Sequence, residues 1–191
     1  MNRRDAIKRT GLLLGSAVSA SVISGVLQGC QPTYALDWEP QFLSEEQALL
    51  VGEIAETILP ETNTLGAKSL HLDEFIDLMV KEAFTAEEQE AFTAGLAGLE
   101  EQCNQAMGNA FAKLSAADQL TFLQEEEKRL LSPDGPSGTP SALLQLKELT
   151  LVGYFTSEYA GQEVLEFKPV PGHYHGCVDY DGGPAQIGMR I

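Results

Sequence analysis

Basic residues are scarce in this chain: 12 Lys and Arg stand against 28 Asp and Glu among 191 residues, a formal charge of −16. So acidic a chain lacks the basic footprint that grips a phosphate backbone, which argues against nucleic-acid binding. It also lacks a polybasic cluster that would hold it to anionic lipid. Long apolar runs are missing too. The best one, from Gly11 to Leu27, is short and rich in Gly and Ser, a poor membrane-spanning helix. Catalytic signatures are absent from the sequence: no glycine-rich loop between strand and helix, no phosphate loop and no nucleophile elbow. Without a Cys-x-x-Cys-His run, a covalently held haem is not indicated. No stretch sustains the alternation of a sheet, and no internal repeat is present. No cofactor site and no catalytic residue are therefore assigned to this chain.

What is present begins at the N-terminus. Asn2-Arg3-Arg4-Asp5-Ala6-Ile7-Lys8 sets an arginine pair before an apolar position and a lysine. A moderately apolar, small-residue run follows and ends at Leu27-Gln28-Gly29-Cys30. This pattern reads as a twin-arginine export signal, with Arg3 and Arg4 as its recognition pair, running into a lipoprotein cleavage site before a lipid-modified Cys30. Gln31 rather than Asp after that cysteine would favour the outer membrane of a Gram-negative cell. The expected mature protein is exported, lipid-anchored in the cell envelope and periplasm-facing, since each buried methylene of a lipid chain contributes roughly 0.8 kcal/mol. Twin-arginine export carries folded proteins, usually ones with a cofactor inserted beforehand. The chain therefore either binds a cofactor or travels with a partner that does.

Removing residues 1–29 takes away four basic residues and one acidic residue, leaving a charge of about −19. The remaining 162 residues suit one domain with a real core. Residues 30–43 read as a tether and 44–191 as a helical domain. Its fold class is all-α, a compact bundle of about five helices with an irregular C-terminal tail. Ser44-Glu45-Glu46-Gln47 is a capping box that opens a helix ending at Pro60. A second helix covers about Leu72–Ala83, with Leu72, Phe75, Ile76, Met79 and Val80 inward. Thr85-Ala86-Glu87-Glu88 caps a longer one, with Phe92, Leu96, Leu99, Cys103 and Met107 inside and Gly108 as its stop. Ser115 caps a fourth, whose apolar residues are Leu120, Leu123, Leu130 and Leu131. Thr139-Pro140 starts a fifth that runs toward Tyr159.

From about residue 161 the chain is rich in Gly, Pro, Tyr and His. His173, His175 and Cys177, with Asp179 just beyond, are the candidate metal ligands there. Alternate residues of an extended chain point apart, and the only other histidine is the distant His71. The preferred reading is thus a tail that packs its rings on a partner. In an oxidising compartment Cys103 and Cys177 could pair with each other, or either could pair with a partner chain.

Ile58-Leu59-Pro60, Gly66-Ala67, Phe75-Ile76-Asp77, Phe111, Leu114-Ser115 and Gln119 occur in order. They lead to Leu149-Thr150-Leu151-Val152-Gly153-Tyr154-Phe155-Thr156-Ser157, then Pro171-Gly172-His173-Tyr174 and Gly176-Cys177. In this order and spacing the chain resembles the gluconate 2-dehydrogenase subunit 3 family over about residues 42–180. The resemblance implies a non-catalytic subunit that accompanies an FAD-dependent large subunit similar to glucose–methanol–choline oxidoreductases. FAD would belong to that partner, and a cytochrome c subunit often takes the electrons onward. It also implies that Cys177, Tyr174, Tyr154 and Phe155 lie where contact with the large subunit, or a disulfide to it, would form. The alternative is an independent envelope lipoprotein, metal-binding through His173, His175 and Cys177 or purely structural.

Overall fold

The computed structural model describes residues 36–133, 141–167, 170, 173, 177, 179, 182–184 and 186–187. The signal and lipid-site positions Arg3, Arg4 and Cys30 lie outside the described residues. Among the described residues the fold is helical: α1 (Glu45–Ile58), α2 (Leu72–Ala83), α3 (Ala86–Met107), α4 (Ala116–Leu130) and α5 (Ala142–Thr156). A 3-10 turn, Phe111–Lys113, joins α3 to α4, and a π-helical turn, Ala160–Val164, follows α5. Two short strands, β1 (Glu166–Phe167) and β2 (Gln186–Ile187), pair in parallel.

The helix starts follow from local hydrogen bonding. Ser44 Oγ accepts from Gln47 N–H (3.2 Å) while Gln47 Oε1 accepts from Ser44 N–H (3.0 Å), so two donors that α1 cannot satisfy internally are paired. Thr85 and Glu88 repeat the arrangement at α3, and the Thr85 N–H and hydroxyl hold the Glu88 carboxyl below its usual range. Ser115 caps α4 and Ser141 caps α5. Thr139 and Pro140, the expected start of α5, lie outside the described residues. α3 stops at Gly108, whose φ of 75° is the left-handed conformation that glycine adopts without a Cβ clash.

α1 and α5 form the middle of the bundle. α1 packs against α2, α3, α4 and α5, and α5 packs against α2 and α3. Val51, Ile54, Ile76, Val80, Phe92, Leu96, Phe111 and Leu146 are fully buried. Each such large apolar side chain contributes roughly 1.5–3 kcal/mol by leaving water. α5 can approach α2 closely because residue 153 is glycine. A Cβ there would stand 2.7 Å from the Phe75 ring and 3.3 Å from Leu72 Cδ2.

Three expectations shift. α4 buries Gln119, Phe122, Leu123 and Glu126, whereas Leu120 and Leu131 are exposed. Its inner face is turned because the two polar groups are satisfied: Gln119 Nε2 donates to the Phe111 carbonyl (3.1 Å), and Glu126 accepts from Arg129. Helical winding continues past residue 161, as the π turn to Val164. The supposed tether is also partly domain. Leu43 is buried, and Leu36, Trp38 and Phe42 pack against the core.

Candidate functional site

The most elaborate polar construction lies where residues 36–43 cross α2. Asp73 and Asp77 are one turn apart on this helix, and both are 1 % exposed. Asp77 accepts backbone N–H bonds from Gln41 (2.8 Å), Phe42 (3.2 Å) and Leu43 (2.7 Å). Asp73 Oδ2 accepts from Trp38 Nε1 (3.0 Å). A buried carboxylate persists only when such donors replace its water, so α2 and the strap order each other. At the rim, Lys81 Nζ donates to Gln41 Oε1 (2.8 Å). Asp77 stands in the Phe75-Ile76-Asp77 run, but its donors lie more than thirty residues upstream, so no local pattern in the sequence reveals the strap.

A second construction is a cleft of about 250 Å³ between α3, α4 and the start of α5. Gly98, Leu99, Gln102, Glu126, Arg129 and Ala142 line it. Buried Glu126 accepts from Arg129 Nε (2.8 Å) and Nη2 (2.5 Å), and this bond pushes the guanidinium pKa further up. The guanidinium fork engages both Glu126 oxygens and holds the pair in place on the wall of the cleft.

The aromatic residues separate into core and surface. Tyr154 is 6 % exposed and belongs to the core, which corrects its expected place among the contact residues. Its ring meets Phe155 edge-to-face with centroids 5.3 Å apart. Phe155 (42 % exposed), Val152 one turn earlier and Phe167 (58 % exposed) remain accessible. The Tyr159 hydroxyl accepts from Leu65 N–H (3.1 Å), tying the end of α5 to the α1–α2 connection.

The thiols differ. Cys103 is a buried free thiol whose Sγ donates to the Asn109 carbonyl (3.7 Å). Burial, with the Glu100 charge adding to it, pushes its pKa up to about 11. Cys177 is free and exposed, so the two do not pair with each other. His173 is exposed, while Tyr174 and His175 lie outside the described residues. Among the described residues no group of three His, Cys, Asp or Glu side chains is placed to hold a metal ion. None of the helices among them is long and apolar enough to cross a membrane.

Residues 45–172 match the sequence profile of a family described as gluconate 2-dehydrogenase subunit 3. The chain belongs to this family. The match runs from the first residue of α1 to the Pro171-Gly172 pair and takes in all five helices. No curated protein and no solved structure matches the chain. Several residues that carry the subunit 3 resemblance have structural work. Gly153 admits Phe75, Asp77 fastens the strap, and Gln119 bridges α4 to the 3-10 turn. At Gly66 a Cβ would collide with Glu56 Oε1 (2.7 Å), which itself accepts from Glu61 N–H (3.0 Å).

Proposed function

We propose that this subunit 3 protein is the non-catalytic escort of an FAD-dependent, glucose–methanol–choline-type dehydrogenase of gluconate or a related sugar. It brings the folded catalytic subunit through twin-arginine export and tethers it to the membrane by lipid on Cys30. The observation that carries this reading is the occurrence in one chain of the family match over residues 45–172 and the Arg3-Arg4 to Cys30 export pattern. An export route for folded proteins suits a partner that must acquire FAD before crossing. FAD and the substrate-binding groups belong to that partner, and a cytochrome c subunit is the expected next carrier.

Docking rests on the outer side of α5 and the residues after it. Val152, Phe155 and Phe167 offer exposed apolar area of the kind that anchors interfaces. Burying a ring such as Phe155 against a partner contributes about 1.5–3 kcal/mol. Exposed Cys177 is available for a disulfide to the large subunit, and Tyr174, outside the described residues, is a further contact residue on the strength of the sequence. Non-reducing electrophoresis of the complex checks that bond: a linked species supports it, and two separate bands reject it.

Co-expression with the large subunit and purification through a tag on this chain tests the whole reading. The eluate should show flavin absorbance and sugar dehydrogenase activity. A flavoprotein that passes through the column unbound and fully active would reject the escort role.

A further inference from the structure

The strap has a direction. Asp37 lies 4.0 Å from His71 Nδ1, just ahead of α2, and Trp38 reaches Asp73 in the first turn. Gln41, Phe42 and Leu43 then reach Asp77, and the Gln41 side chain meets Lys81 in the last turn. The chain therefore meets the bundle beside His71 and follows α2 toward its C-terminus. Two buried carboxylates, with four N–H donors directed at them, fix this path. Peeling the strap away would leave Asp73 and Asp77 without those donors.

We propose that the strap is an orienting clamp for the lipid-anchored protein, holding the His71 end of the domain toward a lipid surface. The proposal rests on the reading of Cys30 as lipid-modified. With the strap fastened, only six peptide steps separate Cys30 from Leu36, a stretched reach of at most about 20 Å. Were residues 30–43 a free tether, the reach to Ser44 would be about 45–50 Å, enough to let the domain tumble. Exposed Asp37 and Glu39 stand where the strap begins, so the surface it faces is zwitterionic and not strongly anionic. Orientation of this kind would give any partner docked on the domain a fixed height and attitude over the membrane.

The test compares the two ends of α2, which lie roughly 18 Å apart along a helix of this length. The lipidated full chain, with Cys177→Ser to remove the exposed thiol, receives a donor dye at Glu74→Cys near His71 or at Glu87→Cys just past the other end. Both glutamates are exposed. Energy transfer is read to an acceptor on the headgroups of phosphatidylcholine vesicles. Transfer should be severalfold greater from position 74 than from 87. The difference should disappear in Asp77→Ala, which opens the strap. It should disappear equally when a twenty-residue Gly/Ser segment is inserted after Gln31, a change outside the bundle that leaves its helicity intact. Equal transfer from both ends, in a chain whose mass shows lipid on Cys30, overturns the clamp and leaves the anchor standing. A difference that survives the insertion also overturns it, because direct surface contact would then set the orientation. A mature chain without lipid rejects the anchor and the clamp together.

Discussion

Replacing Asp77 by Ala is the sharpest test of how the domain is held together. Its carboxylate, 1 % exposed, accepts three backbone N–H bonds at 2.7–3.2 Å from residues 34 to 36 positions upstream. Each hydrogen bond to a charged acceptor is worth about 1.5–3 kcal/mol, and buried donors left unpaired add a desolvation cost. Water can reach the Gln41 and Phe42 amides more readily than that of buried Leu43, so the losses do not simply add. A total of about 3–4 kcal/mol follows, a large share of the roughly 5–15 kcal/mol that stabilises an ordinary domain. For a domain of this size that is a drop in Tm of about 10 °C. Asp77→Asn keeps one carbonyl acceptor and should lose about half as much. Thermal and urea unfolding give the magnitude, and amide exchange gives the location. Exchange at Gln41, Phe42 and Leu43 should accelerate about 100-fold or more. A change under about 1 kcal/mol with those amides still protected would refute the clamp energetics.

Three further outcomes follow from the same geometry. With its pKa raised from 9.0 to about 11, Cys103 stays a neutral thiol at pH 8, so a thiolate-specific reagent should label only Cys177 of these two in the native protein. The sign for stability is the same: the folded state favours the protonated thiol, so its stability is intact below pH 9 and falls as the pH rises through about 11. Gly153→Ala should destabilise by about 1–3 kcal/mol through its clash with Phe75, while Gly98→Ala, where a Cβ meets nothing within 4 Å, should be neutral or gain up to about 1 kcal/mol in urea unfolding. Phe155→Ser with Phe167→Ser should cost about 1–2 kcal/mol of stability, because Phe155 gives up its edge-to-face pair with Tyr154, and weaken capture of the catalytic subunit by the still-folded chain about 10-fold or more, read by co-purification yield.

Helix boundaries were legible because they are local. Ser44, Thr85 and Ser115 cap where their spacing to Gln47, Glu88 and Asp118 predicts, and Gly108 ends α3 in the expected conformation. The interior of α3 was equally plain, since Phe92, Leu96, Leu99 and Cys103 recur at helical spacing. Where polar residues turn inward, periodicity misleads. Gln119 and Glu126 take the inner face of α4 in place of Leu120 and Leu131, because hydrogen-bond partners compensate their burial. Asp73 and Asp77 look like the solvent side of an amphipathic helix until the strap donors, more than thirty residues away, are in place. Tyr154 and Phe155 are neighbours in one motif, yet the helix turns the first into the core and the second outward. Only the three-dimensional phase of α5 separates them.

Export of the catalytic subunit tests the central claim most directly. The large subunit is co-expressed with this chain, either intact or carrying Arg3→Lys and Arg4→Lys, and its flavin-linked activity is assayed in cytoplasmic and envelope fractions. With the intact chain the activity should lie in the envelope. With the double variant it should fall to background there, the large subunit remaining in the cytoplasm or inactive. Full activity in the envelope despite both substitutions would contradict the escort function.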